Sequence, residues 1–281
     1  MALEKAGDIV RDAYKNGYGL AAVNVINYET IKLAIEKAEE INKPLLIAFY
    51  PGWRDLIEMD LVVEITKACA KRVKTPVGLH LDHCMDFAEI MLAIHTGFSS
   101  VMYDGSALPF DENVKNTAEV VRVAKTLGID VEAELGKVGT AAKVEDFEDS
   151  DKFTQPEDAR KFVELTGCSS LAVAVGNAHG DYVRLPNIDI PRIKAIKEAA
   201  GIPLVLHGGS GIPDSQVQEA VKVGIAKMNV ATEYHSAYYK AIMDYDMLEG
   251  KPKNMYFCSM DIRQDILNFL DYKIKLLNPD V

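Results

Sequence analysis

Eight short apolar runs recur along this chain, each followed by a segment with helical periodicity, and none of the joins carries a two-residue hairpin turn. The runs cover residues 21–26, 44–50, 76–82, 99–103, 129–135, 169–175, 203–207 and 225–230. The helical segments follow at 27–42, 59–72, from Asp86, and at 112–127, 156–166, 189–199, 213–223 and 233–248. Strands that alternate with helices are joined by crossovers, and crossovers pair strands in parallel. Eight such units fit a closed (β/α)8 TIM barrel better than an open doubly wound sheet, which has fewer strands and a glycine fingerprint after the first. A further amphipathic helix, 3–16, carries Leu3, Ala6, Ile9, Val10 and Ala13 on one face and ends at Asn16-Gly17, placed to cover the bottom of the barrel. No linker, repeat or low-complexity segment interrupts the 281 residues, so 1–281 reads as a single α/β domain.

Bulk properties narrow the function. A formal net charge of -11 argues against nucleic acid or an anionic membrane surface as partner. No apolar run is long enough to span a bilayer, and the opening Met1-Ala2-Leu3-Glu4-Lys5 starts a helix rather than a signal peptide. The four cysteines, Cys69, Cys84, Cys168 and Cys258, have neither CxxC spacing nor disulfide density, which suggests a reduced, cytoplasmic context.

The polar residues at the strand ends carry the chemistry. His83 directly follows the third run, His179 lies beyond the sixth and His207 ends the seventh, the last two within glycine-rich turns. A single histidine in such a place is commonly structural, but three at the same end of a barrel suggest a catalytic zinc with one open position. Asp82 delivers a carboxylate beside His83. Asp104 and Glu134, at the ends of the fourth and fifth runs, would orient the histidines or offer a second, buried metal position; for Glu134 a buried salt bridge is the plainer reading. Asn24, a lone amide in the first run, reads as a loop anchor or a substrate contact. Gly208-Gly209-Ser210-Gly211 and Asn229-Val230-Ala231-Thr232 are turns whose N–H groups suit a phosphate, at the two strand ends where barrels often bind one. Residues 137–155 are crowded with acid from Glu145 to Asp151; they read as a solvated loop of the length of an active-site lid.

Taken together, His80-Leu81-Asp82-His83, Val131-Glu132-Ala133-Glu134-Leu135-Gly136, Ala174-Val175-Gly176-Asn177-Ala178-His179-Gly180, Leu206-His207-Gly208-Gly209-Ser210-Gly211 and Asn229-Val230-Ala231-Thr232-Glu233 closely resemble the class II, metal-dependent ketose-bisphosphate aldolases. Ala231 stands where the fructose-bisphosphate branch usually has aspartate, so the last motif is more similar to the tagatose-type branch. The resemblance implies that His83, His179 and His207 bind zinc (Zn2+), that Asp82 exchanges a proton with the substrate's C4 hydroxyl, and that Asp104 and Glu134 form a buried alternative metal position. It implies a monovalent cation, Na+ or K+, on the carbonyls of Gly180, Gly208 and Ser210. Gly209, Ser210, Asn229, Ala231 and Thr232 would hold a phosphate, and Asn24 would touch substrate. The partners implied are a phosphorylated sugar and a second copy of the chain, as homodimer or homotetramer, with Arg263 the candidate to reach the partner's site. The implied reaction is reversible cleavage of a fructose- or tagatose-type 1,6-bisphosphate to dihydroxyacetone phosphate and glyceraldehyde 3-phosphate, a divalent cation stabilising the developing negative charge.

Three positions depart from that pattern. Thr140-Ala141-Ala142-Lys143 interrupts the usual lid sequence, leaving Glu145, Asp146 or Glu148 as the lid acid. Tyr50 replaces a serine or threonine, and Val183, followed by Arg184, replaces a phosphate-binding lysine. Rival readings are an aldolase for another ketose phosphate, a relative that has lost turnover, and a zinc hydrolase, which would want an HxH pair where the first run has only Asn24.

Overall fold

In the computed structural model, which describes residues 2–279, strands β1 (Leu20–Asn24), β2 (Leu45–Phe49), β3 (Val77–Cys84), β4 (Ser100–Tyr103), β5 (Asp130–Leu135), β6 (Ser170–Val173), β7 (Leu204–Leu206) and β8 (Ile225–Val230) pair in parallel in chain order. β8 pairs back onto β1 and closes the barrel. Met1, Asp280 and Val281, at the ends of the span read as one domain, lie outside the described residues. The helices are α1 (Ala6–Asn16), α2 (Tyr28–Ile41), α3 (Met59–Ala70), α4 (Phe87–Thr96), α5 (Phe110–Thr126), α6 (Val144–Glu148), α7 (Pro156–Thr166), α8 (Ile190–Ala200), α9 (Asp214–Val223), α10 (Thr232–Met247) and α11 (Met255–Leu277). Among the described residues no helix is long and apolar enough to cross a membrane.

Local chemistry sets the helix ends. Asn27 accepts from Thr30 N–H at the start of α2 while Thr30 Oγ1 accepts from Asn27 N–H, and Asp86 accepts from Ala88 and Glu89 N–H at the start of α4. Period-two alternation sets the strand faces: Val77, Leu79 and Leu81 of β3 join the core under the helices, and Val131 and Ala133 of β5 do the same. The alternate positions of those strands, His80, Asp82, Glu132 and Glu134, are buried polar groups. The lower end of the barrel is closed by α1, whose Ala6, Ile9, Val10 and Ala13 pack with Leu20, Ala22, Leu46, Ala48 and Ala226. Only glycine fits at position 78, since a Cβ there would lie 2.6 Å from Leu46 Cδ2 and 2.8 Å from the Ala6 backbone.

Four features differ from the sequence expectations. α1 begins at Ala6 rather than at 3, because Leu3 forms a parallel bridge with Val77 instead. β3 runs on through His83 to Cys84 with a register shift after Leu81, and His83 sits at φ 42°, a left-handed conformation that bulky residues adopt only under constraint. The acidic stretch 137–155 is not simply a solvated loop: it contains α6 and a 3₁₀ turn, Ser150–Lys152, and it packs Phe147 edge-on to Tyr182 beside Ala141 and Ala178. α11 lies beyond the eight expected units; its buried stripe, Ile262, Ile266, Leu270, Ile274 and Leu277, packs against α2, α9 and α10.

Candidate active site

The three histidines meet. Ring centroids of His83 and His207 are 4.3 Å apart, those of His83 and His179 5.0 Å, and those of His179 and His207 6.0 Å; one nitrogen of each lies within 4.8 Å of the others. His83 arrives on the bulged end of β3 and His207 directly after β7. His179 is carried by the loop after β6, which two contacts hold in place. Asn177 donates to the His207 carbonyl at 2.9 Å, and the Tyr182 hydroxyl accepts from Ala178 N–H and donates to the Gly208 carbonyl.

Carboxylates orient these rings. The Nδ1–H of His83 donates to Asp104 Oδ2 at 2.9 Å, and Asp104 is itself held by the N–H and hydroxyl of Ser106. The Nε2–H of His207 donates to Glu132 Oε1 at 3.0 Å. The opposite nitrogens, His83 Nε2 and His207 Nδ1, are buried without a hydrogen-bond partner among the described residues, as is Glu134 Oε2, 3.2 Å from His207 Nδ1 but out of line for a bond. Orphaned buried donors and acceptors are costly. Two neutralisable imidazoles and a carboxylate aimed at one point fit a divalent cation, with each ring braced by a carboxylate behind it. Asp104, Glu134 and His83 form a second, overlapping set of donors.

Burial lowers His179 to about 3, aided by the other two rings. Burial acts the same way on His207, but the Glu132 and Glu134 carboxylates outweigh it and raise that ring to about 10. Asp82 is also buried, which would raise it; the neighbouring His83 and His207 instead hold it below the ordinary carboxylate range. Its two oxygens are clamped from β1 and β8, which do not pair with β3: Oδ2 by Asn24 Nδ2 at 2.8 Å and Oδ1 by Asn229 Nδ2 at 2.7 Å.

Beneath the histidines lies a charged layer that was not foreseen. The fully buried Lys227 donates to both oxygens of Glu132 at 2.9 Å and to His80 Nε2 at 3.3 Å. Burial, then Lys227, takes His80 down to about 3, so that ring is neutral and its Nδ1–H donates to Ser100 Oγ at 2.9 Å. All three Lys227 donors are thereby used. The available sequence signal is alternation: 80/82, 132/134 and 227/229 are inward pairs on β3, β5 and β8, with the first member of each, His80, Glu132 and Lys227, lying one layer below the site.

A cavity of about 400 Å³ opens over the histidines. It brings together Asn24, Asp82, His83, Asp104, Glu134, His179, Gly180, Gly208, Gly209, Ser210, Asn229, Ala231 and Thr232. The two amide turns lie side by side there; α10 begins at Thr232 without a cap from the Ala231 side chain, and its Glu233 N–H donates to Ser210 Oγ at 3.3 Å, which ties the two turns together. The lid acids lie outside the cavity. Glu148 pairs with Arg184, the Glu145 carbonyl accepts from Lys152, and Asp146 is bound to Thr140 N–H and Lys152. Arg263 pairs with Glu36 at 2.7 Å, away from the lining. Tyr50, Trp53, Met85, Ser106 and Val138 complete the wall; of these, only Tyr50 had been considered from sequence.

Residues 4–279 match the family model described as fructose-bisphosphate aldolase class-II. The crystal structure of the YdjI aldolase from Escherichia coli K12 is 34% identical, covers 99% of this chain and 98% of its own, and superposes with a TM-score of 0.88. A Coccidioides immitis protein assigned as a fructose-1,6-biphosphate aldolase is 27% identical over 98% of this chain and 96% of its own, with a TM-score of 0.85. At 23% identity, the fructose-bisphosphate aldolase of Campylobacter jejuni shares the fold over 99% of this chain and 96% of its own, with a TM-score of 0.83. With the braced histidines, the clamped Asp82 and a family match over nearly the whole length, the chain belongs to the class II fructose-bisphosphate aldolase family.

Proposed function

We propose that this protein is a zinc-dependent aldolase that reversibly cleaves a ketose phosphate to dihydroxyacetone phosphate and an aldehyde. The observation that carries the reading is the convergence of three imidazoles, with orphaned nitrogens on His83 and His207, beside a carboxylate and two amide turns. Of the substrates implied by resemblance, fructose and tagatose 1,6-bisphosphate, the site supports the part they share, the dihydroxyacetone phosphate end.

His83, His179 and His207 would hold the zinc, which when bound supplies a Lewis acid for the negative charge that develops on cleavage. The amides of Gly209 and Ser210 and the start of α10 would seat the phosphate, while the Gly211 N–H is held by Glu233 Oε1 at 2.7 Å. Asp82, kept ionised and fixed in direction by two amides, removes the proton from the hydroxyl on one carbon of the C–C bond that breaks; the other carbon takes a proton from solvent, and in the reverse direction both transfers run backward. The Oδ1 atoms of Asn24 and Asn229 are buried without a hydrogen-bond partner among the described residues, placed to accept from substrate hydroxyls.

Dihydroxyacetone phosphate release, coupled to glycerol-phosphate dehydrogenase and measured before and after chelation, tests the reading. Activity should vanish with the metal and return with Zn2+. Full activity after chelation, or in His83→Ala, would refute it.

A further inference from the structure

The cavity has two unlike halves. One half is the pair of amide turns at the ends of β7 and β8. The other, built at the ends of β2, β3 and β4, is Tyr50, Trp53, Met85 and Ser106. Among the described residues, no lysine or arginine lines the cavity. Neighbouring cations are engaged elsewhere: Arg54, next to Trp53, with Glu89, Arg184 with Glu148, Lys152 with Asp146, Lys273 with Glu233, and Arg263, the residue expected to reach a second copy's site, with Glu36. The charged groups that do face the cavity are acids, Asp82, Asp104 and Glu134.

The aromatic half is built rather than incidental. Tyr50 and Trp53 meet edge to face at 5.3 Å, Trp53 packs on His235 at 4.8 Å, and Tyr50 stands edge-on to His83 at 6.5 Å. Gly52 permits this, since a Cβ there would lie 2.4 Å from the Tyr50 ring. His235 in turn is tied to the Asn24 carbonyl at 3.1 Å, which fixes the aromatic group to the strand that clamps Asp82.

A phosphate dianion is held by charge-assisted bonds, typically from arginine or lysine, and it is poorly placed against aromatic rings and carboxylates. The C–H faces of a neutral sugar chain suit those rings, while the hydroxyls find Ser106, Tyr50 and the indole N–H. Resting on the aldolase reading above, we infer that the aldehyde half of the substrate is an unphosphorylated polyhydroxy aldehyde, seated on Tyr50 and Trp53. The substrate is then a ketose 1-phosphate rather than a 1,6-bisphosphate.

The chain's single tryptophan is Trp53, so its emission reports directly on this half of the cavity. In zinc-loaded Asp82→Asn protein, fructose 1-phosphate should change the Trp53 emission at a concentration at least tenfold lower than fructose 1,6-bisphosphate. In the parent enzyme, condensation of dihydroxyacetone phosphate with glyceraldehyde should exceed that with glyceraldehyde 3-phosphate at least tenfold in kcat/KM. Met85→Lys, which adds an ammonium at the exposed rim, should move that ratio toward the phosphorylated aldehyde. Equal or reversed preferences in the two measurements overturn the inference while leaving the aldolase reading intact. Exchange of the dihydroxyacetone phosphate C3 proton with solvent needs no aldehyde and checks that reading alone; without it, both fall.

Discussion

Asn229 Nδ2 donates to Asp82 Oδ1 at 2.7 Å across 147 residues of sequence, and Asn24 holds the other carboxylate oxygen at 2.8 Å. The proposed base is therefore fixed in direction by the two strands, β1 and β8, that meet where the barrel closes. A base that swings loses near-attack geometry, and misplacement by an ångström costs on the order of 100-fold. Asn229→Ala should lower kcat by about that factor, while Asp82→Ala should lower it by about 100- to 10,000-fold. Steady-state cleavage kinetics alongside metal content check this, and an unchanged kcat in Asn229→Ala would show that the clamp is idle.

The buried ion pair below the site makes a stability claim. Removing one member of a buried pair strands the other, at a cost of about 3–5 kcal/mol, so Lys227→Met should lose that much in urea unfolding of metal-stripped protein. Burial would raise the Glu132 carboxyl, but Lys227, together with the hydrogen-bonded His207 ring, holds it well below its ordinary 4.5. A carboxyl lowered by folding stabilises the fold above its unfolded value, and that contribution is lost as pH falls through the folded value. Stability should therefore decline below about pH 4.5 in the parent. In Lys227→Met the folded value moves up toward the unfolded one, so the acid limb should be shallower. Equally steep limbs would assign the acid sensitivity to other groups.

Asp104 braces the ring of His83 from behind at 2.9 Å. Losing such a partner typically weakens a metal by about 10- to 100-fold, so Asp104→Ala should show that loss in competition with a chromophoric chelator. Parent-like affinity would mean that the bulged backbone at His83 alone sets the ring.

Phe147 anchors residues 139–152 on Tyr182 and the loop that carries His179. This small cluster is separate from the main core, so its opening is a local event that costs less than global unfolding. Phe147→Ala should make that segment cleave faster in limited proteolysis while the melting temperature moves little. A fall in melting temperature as large as that of a barrel-core truncation would show that the segment unfolds with the barrel.

The chain's own pattern was sufficient for the barrel, because eight apolar runs joined by helices have few ways to bury both faces, and each strand's outward residues are set by alternation. It also exposed His83, His179 and His207, since histidines after buried strands have one place to go. It was silent on which inward polar groups meet. Whether Lys227 faces Glu132 or Glu134, and whether Asn229 reaches Asp82, depends on the stagger between strands far apart in sequence, which is set only when β8 closes on β1. Arg263 shows the same limit from outside: its pairing with Glu36 follows from the packing of α11 on α2, which no motif in the chain encodes. Tertiary structure likewise turned the acidic 137–155 stretch into a packed flap and gathered Tyr50 and Trp53 into one wall, since contacts between loops follow the geometry of the barrel rim rather than any periodicity in the chain.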